Sequence, residues 1–171
     1  QLFYGPLTRT DSAALSAKAQ SFDQTPYTRQ GGQAVIPLKI SLADSGYLYV
    51  PTACASGQAC RLHIAFHGCQ QQAGQIGTAF VDKAGFNEWA DANRIVVLYP
   101  QTTATVAPPA TPFNPQGCWD WWGYNDYGWS MTGHYATQDG DQIAAVWRMA
   151  QRLAAGSSGA AVTPASVAAP Q

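Results

Sequence analysis

Three short segments of the chain cluster hydrophobic residues in the way that β-strands do. Residues 46–50 and 61–66 are such runs, and the first is closed by Pro51. Their spacing predicts that these two strands pair as an antiparallel hairpin at the edge of a sheet. Residues 95–99 form an unbroken apolar run stopped by Pro100, which is typical of a parallel strand covered on both faces.

Hydrophobic residues recur with helical spacing in other segments. Residues 76–93 predict two short helices separated at Gly85, and they connect the second strand to the third in a right-handed crossover. A short helix is also predicted within residues 15–22, followed by a turn at 30–33. Residues 139–153 predict a longer helix. Its predicted apolar face consists of Ile143, Val146, Trp147, Ala150 and Leu153.

The order of these elements predicts an α/β fold with too few strands. Only three strands are credible, and a doubly wound sheet should continue with another strand after the helix at residues 139–153. The chain instead runs into Ala, Ser and Pro. We therefore predict a partial sheet with crossover helices that needs a complementary segment. Residues 1–45 are predicted as a joining segment, 46–155 as the α/β unit, and 156–171 as a flexible tail.

Composition excludes several classes of function. Charged residues make up 11% of the chain, the net charge is -1, and no Lys/Arg cluster is present, which argues against binding to nucleic acid. No apolar run approaches the roughly 20 residues that a bilayer span needs. The three histidines are scattered and no C-x-x-C occurs, so no zinc site is predicted. Because residue 1 is Gln and no signal-type block follows, we expect a chain processed or cut from something longer.

The four cysteines predict an oxidising compartment. Cys54 and Cys60 bracket a short loop that contains Gly and Ser, which leaves Cys69 and Cys118 as the other pair. Other connectivities, and free structural thiols, are the alternatives. Two disulfides would place the protein outside the cell or in a periplasm.

Candidate chemistry lies at the end of the second predicted strand, at His67, Gly68 and Cys69. A strand followed by His-Gly and a third small residue is typical of the oxyanion-hole loop of an α/β-hydrolase. Such a loop stabilises the alkoxide that forms when an ester carbonyl is attacked, because its main-chain N–H groups donate to that oxygen. The alternative interpretation is a plain strand exit in which His67 is a structural histidine.

A nucleophile for this chemistry is not evident. No G-x-S-x-G elbow occurs, and the nearest candidate, Ser130, follows no predicted strand. His134 and Asp120 are conceivable as a base and its partner, but Ser130 still lacks the elbow. His63 is predicted to be structural. Glu88 is the only glutamate, so no carboxylate pair suits glycoside hydrolysis.

An aromatic segment follows Cys118. Trp119, Trp121, Trp122 and Tyr124 crowd a few positions that are predicted as a loop. Core packing is the usual use of one such residue, but several in one loop could line a groove for an apolar or sugar substrate.

Four stretches together resemble extracellular poly(3-hydroxybutyrate) depolymerases and related esterases, in motif, order and spacing. These stretches are residues 62–70, 84–90, 95–101 and 114–122. In a circularly permuted branch of that family, the Ser elbow, Asp and His precede the oxyanion loop and the aromatic segment. Residues 4–7 and 22–24 resemble the joining region of that branch. The resemblance therefore implies the C-terminal half of a permuted depolymerase.

The resemblance also implies roles for individual residues. The Cys69 N–H would be an oxyanion donor, His67 and Gly68 would shape the loop, and a Cys69–Cys118 disulfide would pin it. Trp122 or its aromatic neighbours would line a subsite for the polyester chain. The triad is missing here, so the partner would be an N-terminal half that carries it, as a separate chain or a missing segment.

Two other hypotheses remain open at this point. The chain could be a stand-alone aromatic module that binds a polymer or a carbohydrate. It could also be a complete enzyme that uses Ser130 or another unrecognised serine.

Overall fold

The computed structural model describes residues 4–108, 110–126 and 133–156. Its strands are β1 (Gln20–Asp23), β2 (Arg29–Gln30), β3 (Gln33–Ala34), β4 (Ser45–Tyr49), β5 (Arg61–Ile64) and β6 (Ile95–Tyr99). Its α-helices are α1 (Thr52–Ala55), α2 (Ala73–Ile76), α3 (Ala79–Lys83), α4 (Phe86–Ala92) and α5 (Asp141–Gly156). None of the helices in these ranges is long and apolar enough to cross a bilayer.

The main sheet has the order β1-β4-β6-β5. The strand predicted at residues 95–99 is confirmed as β6, and all five of its residues are buried. It is parallel to β5, with His63 opposite Val97, and antiparallel to β4. The predicted hairpin of residues 46–50 with 61–66 is therefore wrong. Because β6 is the most apolar strand, it takes the centre of the sheet and separates the other two.

The helix predicted within residues 15–22 is also wrong. This part of the chain ends in β1, which pairs with β4 and extends the predicted three strands to four. Only Phe22 of β1 is buried, and its neighbours point to solvent, which is the alternation of an edge strand rather than a helical face. The turn predicted at residues 30–33 is confirmed as the connection between β2 and β3. The predicted joining segment thus supplies a strand of the main sheet.

Helices cover both faces of this sheet. Val81 of α3 and Ala90 of α4 pack on the face that carries Val97 and Tyr99. Gly85 lies between α3 and α4 with a φ of 85°, a left-handed conformation that glycine adopts readily, so the predicted break is confirmed. Met149 and Leu153 of α5 pack on the opposite face, against Leu48 and Leu98 among others.

The helix predicted at residues 139–153 is confirmed as α5, but its predicted apolar face is partly wrong. Val146, Ala150 and Leu153 are buried, whereas Ile143 and Trp147 are exposed. Gln142 is buried instead, because its side chain donates to the Ile40 carbonyl at 2.8 Å. The helix is therefore rotated toward a polar anchor and leaves two large apolar side chains outside. The predicted tail, residues 156–171, lies outside the described residues apart from Gly156.

Candidate active site

The site is built where the two parallel strands end. β5 and β6 run in the same direction, so the loops that follow them meet at one edge of the sheet. The first loop carries His67, Gly68 and Cys69, and the second carries Thr102. Thr102 also pairs with Leu42 in an isolated bridge, which joins the second loop to the segment that precedes β4.

His67 connects the two loops. Its side chain is almost fully buried, at 2% exposure, between the rings of Phe80 and Trp119. Nδ1 lies 2.8 Å from the Gly68 carbonyl oxygen, and Nε2 lies 3.2 Å from the Thr102 backbone nitrogen. Because a carbonyl only accepts, Nδ1 carries the proton, and Nε2 accepts from the Thr102 N–H. Burial lowers the pKa of His67, with a smaller opposing effect of the bond to Gly68, so the neutral form is favoured.

Cys69 presents a free main-chain donor. Within the part of the chain that the structure describes, its N–H makes no hydrogen bond, and the residue is exposed. The neighbouring Gly68 N–H is occupied, because it donates to Gln71 Oε1 at 2.9 Å. A Cβ at Gly68 would lie 3.0 Å from that same oxygen. Glycine is therefore favoured at this position, because it lets the Gln71 side chain approach the backbone closely. Cys69 therefore offers an available N–H in this turn, and it is the donor that the resemblance implied.

Both predicted disulfides are confirmed. Cys54 is bonded to Cys60, and Cys69 is bonded to Cys118, with a sequence separation of 49 residues in the second pair. The second bridge joins the loop after β5 to the start of the aromatic segment. The Gln70 N–H also donates to the Gln116 carbonyl at 2.8 Å beside it. The loop is thus held on both sides of the free Cys69 N–H.

Two buried polar residues that the sequence analysis missed support this junction. The Thr102 hydroxyl donates to the Gly117 carbonyl at 2.5 Å. Asn114, which is fully buried, accepts from the Cys118 N–H and donates to the Cys118 carbonyl, both at 2.9 Å. Asn114 stands before Pro115, a pair that favours turns, so the sequence offered a signal for the turn but none for these contacts.

The aromatic segment divides into a buried and an exposed part. Trp119 is half-buried and packs edge-on against Phe66, with 4.9 Å between ring centroids. Trp121 and Trp122 are 70% and 42% exposed and pack against each other in a T-shaped pair at 5.0 Å. Among the described residues of the segment, these two indoles therefore expose the most aromatic surface to solvent.

Tyr124 belongs mainly to the scaffold. Its hydroxyl donates to the Cys118 carbonyl at 2.7 Å and accepts from Gln142 Nε2 at 2.8 Å. Burial raises the pKa of this phenol well above its usual value. Its ring still touches Trp122 at 4.7 Å between centroids, so it can support that indole from behind.

The conceivable triad does not assemble among the described residues. The Asp120 carboxylate accepts from the backbone N–H groups of Gly123 and Asn125, at 2.7 and 3.0 Å, and also from that of Tyr124. Burial raises the pKa of Asp120, against the lowering effect of these bonds. His134 lies instead beside Asp126, with 3.7 Å between Nδ1 and Oδ1. Ser130 lies outside the described residues.

His63 lies away from this junction, in the middle of β5. Its Nδ1 is 3.1 Å from the Tyr4 hydroxyl, and its ring lies 5.3 Å from that of Phe86. This packing agrees with the predicted structural role.

A mixed sheet covered on both faces, with a candidate oxyanion loop after a parallel strand, has the features of an α/β-hydrolase domain. Comparison with known proteins narrows this class. No protein-family model matches the chain. It is 34% identical over 162 residues to the poly(3-hydroxybutyrate) depolymerase of Delftia acidovorans, which covers 93% of this chain and 28% of that protein. It is 35% identical over 162 residues to the polyhydroxybutyrate depolymerase of Talaromyces funiculosus, which covers 91% of this chain and 43% of that protein.

The solved structures that the chain resembles are also PHB depolymerases. A serine-to-alanine variant of PHB depolymerase complexed with an R3HB trimer matches with a TM-score of 0.65 and 35% identity, over 84% of this chain and 42% of that one. PHB depolymerase from Penicillium funiculosum matches with a TM-score of 0.67 and 37% identity, with the same two coverages. The predicted resemblance to poly(3-hydroxybutyrate) depolymerases is therefore confirmed: the chain is similar to them in sequence and in fold over most of its length. It spans less than half the length of each of these relatives.

Proposed function

We propose that this chain is the oxyanion-hole and substrate-groove half of a secreted serine esterase that hydrolyses poly(3-hydroxybutyrate) or related hydroxyalkanoate esters. The observation that carries the proposal is the Cys69 N–H, which has no partner among the described residues and lies after the carboxyl end of β5, in a loop fixed by His67 and by the Cys69–Cys118 bridge. The names of the relatives support the substrate class. The two disulfides support a location outside the cell or in a periplasm.

In this mechanism the chain stabilises the negative charge of the intermediate, and the complementary segment supplies the nucleophile. A serine of the complementary segment attacks the ester carbonyl, a histidine there accepts the serine proton, and an aspartate orients that histidine. The carbonyl oxygen becomes an alkoxide, to which the Cys69 N–H donates; one such donor is worth about 3 kcal/mol of transition-state stabilisation. As the tetrahedral intermediate collapses, the ester C–O bond breaks and the histidine gives the serine proton to the leaving oxygen, so that the product departs as an alcohol. Water, activated by the same histidine, then hydrolyses the acyl-enzyme and frees the serine. The chemistry uses no metal or organic cofactor.

The complementary segment would dock along the free edge of β5. Within the described residues, β5 pairs as a strand only with β6. On its other side the Leu62 carbonyl accepts from the Tyr4 hydroxyl at 3.1 Å, and the remainder of that side offers backbone groups without a strand partner. A cavity of about 280 Å³ is lined by Phe66, which follows β5, and by Trp119 and Ile143 among others, and exposed Trp147 lies on the same helix as Ile143. In the matched solved structures, more than half of the chain lies outside the match. A segment corresponding to that part is the proposed occupant of this surface. By resemblance to the permuted branch, that segment comes before residues 4–7.

An assay of the chain with and without its partner tests the proposal. The 171-residue chain alone is expected not to hydrolyse a short p-nitrophenyl ester, whereas the chain joined to a complementary segment with a G-x-S-x-G elbow is expected to do so. Circular dichroism and the intact mass would show that the lone chain is folded and fully oxidised. Turnover by the folded lone chain would contradict the proposal. Labelling of that chain by a fluorophosphonate would then locate the serine, with Ser130 as the first candidate.

Replacement of Trp122 by alanine in the joined enzyme is expected to weaken action on a polymer film by about tenfold. The reason is that an exposed aromatic contact contributes about 1–2 kcal/mol to an interface. Hydrolysis of a soluble p-nitrophenyl ester should change less than about twofold, since that substrate does not reach along a groove. The measurement is the initial rate on each substrate.

Trp89→Ala provides the matched control, because Trp89 is also 42% exposed but lies on α4. Equal losses from Trp89→Ala and Trp122→Ala on film would contradict a groove at the aromatic segment.

A second function is favoured by the same exposed pair. Trp121 and Trp122 could let the lone chain bind a polymer film or a glycan without catalysis. Tight film binding by a monodisperse lone chain, abolished in a Trp121→Ala variant, together with no gain of activity in the joined protein, would favour this binding module over the half-enzyme.

A further inference from the structure

We infer that His67 is the positioning residue of the oxyanion donor: its Nδ1–H holds the Gly68 carbonyl and thereby aims the Cys69 N–H. The catalytic role of this positioning rests on the proposed function, whereas the contacts of His67 with Gly68 and Thr102 do not depend on it. His67 is not placed to touch substrate, because it is buried between two aromatic rings and both of its ring nitrogens are engaged within the chain.

The argument begins with the peptide bond that joins Gly68 to Cys69. A peptide is planar and trans, so its carbonyl oxygen and its N–H point in opposite directions. Whatever fixes the Gly68 oxygen also fixes the direction of the Cys69 N–H. The Gly68 oxygen faces His67 Nδ1 at 2.8 Å, and the Gln71 N–H also donates to it at 3.1 Å. The opposite end of the same peptide is the free donor.

The next step is the choice of tautomer. Only an imidazole with its proton on Nδ1 can donate to Gly68, and in the neutral ring Nε2 is then an acceptor. The Thr102 N–H faces Nε2 at 3.2 Å and favours that role, because this N–H can only donate; the Thr102 hydroxyl oxygen also lies 3.3 Å from Nε2 and gives its own proton to the Gly117 carbonyl. Thr102 is itself tied to Gly117 through its hydroxyl, one residue before the disulfide partner of Cys69. The orientation of the donor is therefore set from the loop after β6.

This arrangement unites the two interpretations of His67 that the sequence left open. The residue is structural in its burial and its satisfied nitrogens. It acts on the proposed reaction only through the Gly68–Cys69 peptide. That route predicts a specific requirement, namely a donor at the Nδ1 position.

Three substitutions separate a donor requirement from mere filling of the space. His67→Asn keeps an amide N–H near the position of Nδ1, His67→Gln places its amide nearer the position of Nε2, and His67→Phe keeps a ring without donors. In the joined enzyme, the Phe and Gln variants are expected to lower kcat on a soluble ester by about tenfold or more, with KM within about twofold. The Asn variant is expected to recover most of kcat. Equal kcat values in the Asn and Phe variants would overturn the inference, and the Gln variant supplies the comparison if the Phe variant does not fold.

Nuclear magnetic resonance of the 171-residue chain gives a readout that does not depend on activity. The His67 ring is expected to show a protonated Nδ1 and an unprotonated Nε2 at neutral pH. The Cys69 amide signal is expected to stay in place in His67→Asn and to move in His67→Gln. A proton on Nε2, or a Cys69 signal that moves equally in both variants, would overturn the inference. Absence of esterase activity in the joined wild-type protein would reject the proposed function, and these signals would still decide the positioning.

Discussion

A Gly117→Ala variant is expected to lose about 3 kcal/mol of unfolding free energy. Gly117 has a φ of +57°, a left-handed conformation that costs a residue with a Cβ about 1 kcal/mol. A Cβ there would also lie 2.4 Å from Gln72 Nε2, far inside normal contact. Gln72 is buried, so its side chain can move aside only by disturbing the packing around it, which costs about 1–3 kcal/mol. Urea denaturation of the oxidised chain measures the total.

Gly31→Ala is the matched control for this change. Gly31 has a φ of +54°, nearly the same backbone conformation, but nothing lies within 4 Å of a Cβ there. Its expected loss is therefore the conformational cost alone, about 1 kcal/mol. Equal losses at the two positions would show that the contact with Gln72 contributes nothing and that the junction of the two loops is loosely packed.

Local sequence patterns correctly predicted those elements whose conformation is determined by their own residues. β6 was predicted with its observed bounds because a run of five apolar residues, rich in Ile and Val and stopped by a proline, is typical of a strand covered on both faces. Gly85 was predicted as a break because only one residue type enters the left-handed region freely. These signals depend on the residues themselves and not on what they pack against.

Partners distant in sequence decide the features that were predicted wrongly. The position of β6 between β4 and β5 depends on which strand buries most apolar surface, and no local pattern encodes that competition. β1 has one buried position, Phe22, so its sequence shows no alternation of apolar and polar residues, and only its pairing with β4 identifies it as a strand. In α5, Gln142 is buried because the Ile40 carbonyl needs a donor, and this bond turns Trp147 outward.

The candidate site was predictable to a similar degree. A strand followed by His67 and Gly68 identified the loop, and the cysteines identified the bridge that fixes it. The contact of His67 with Thr102 was not predictable, because 35 residues separate them and the donor is a backbone N–H with no sequence signature. The sequence can therefore indicate which group would donate to an oxyanion, whereas only the fold indicates what orients it.

Removal of the Cys69–Cys118 bridge by a Cys69→Ser, Cys118→Ser double substitution is expected to cost about 4 kcal/mol of unfolding free energy. A disulfide restricts the unfolded chain, and the restriction grows with the logarithm of the loop that it closes. This bridge has a sequence separation of 49 residues, whereas Cys54–Cys60 has a separation of 6. The Cys54→Ser, Cys60→Ser variant is therefore expected to lose only about 2 kcal/mol. Urea denaturation of both variants and of the parent at one pH gives the comparison.

Removal of the two bridges should differ more in its effect on kcat than in its effect on the free energy of unfolding. The Cys54–Cys60 bridge closes a turn beside α1, and its loss leaves the loop after β5 unchanged. Loss of the other bridge releases Cys69 itself. The constraints on its N–H that then remain in the described part of the chain are the hydrogen bonds of Gly68 and Gln70 to their neighbours. In the joined enzyme, at a urea concentration where both variants are folded, only the Cys69 variant should lose kcat. Equal kcat values in the two variants would mean that hydrogen bonds alone hold the donor, and the bridge would then be a stabilising element without influence on the oxyanion.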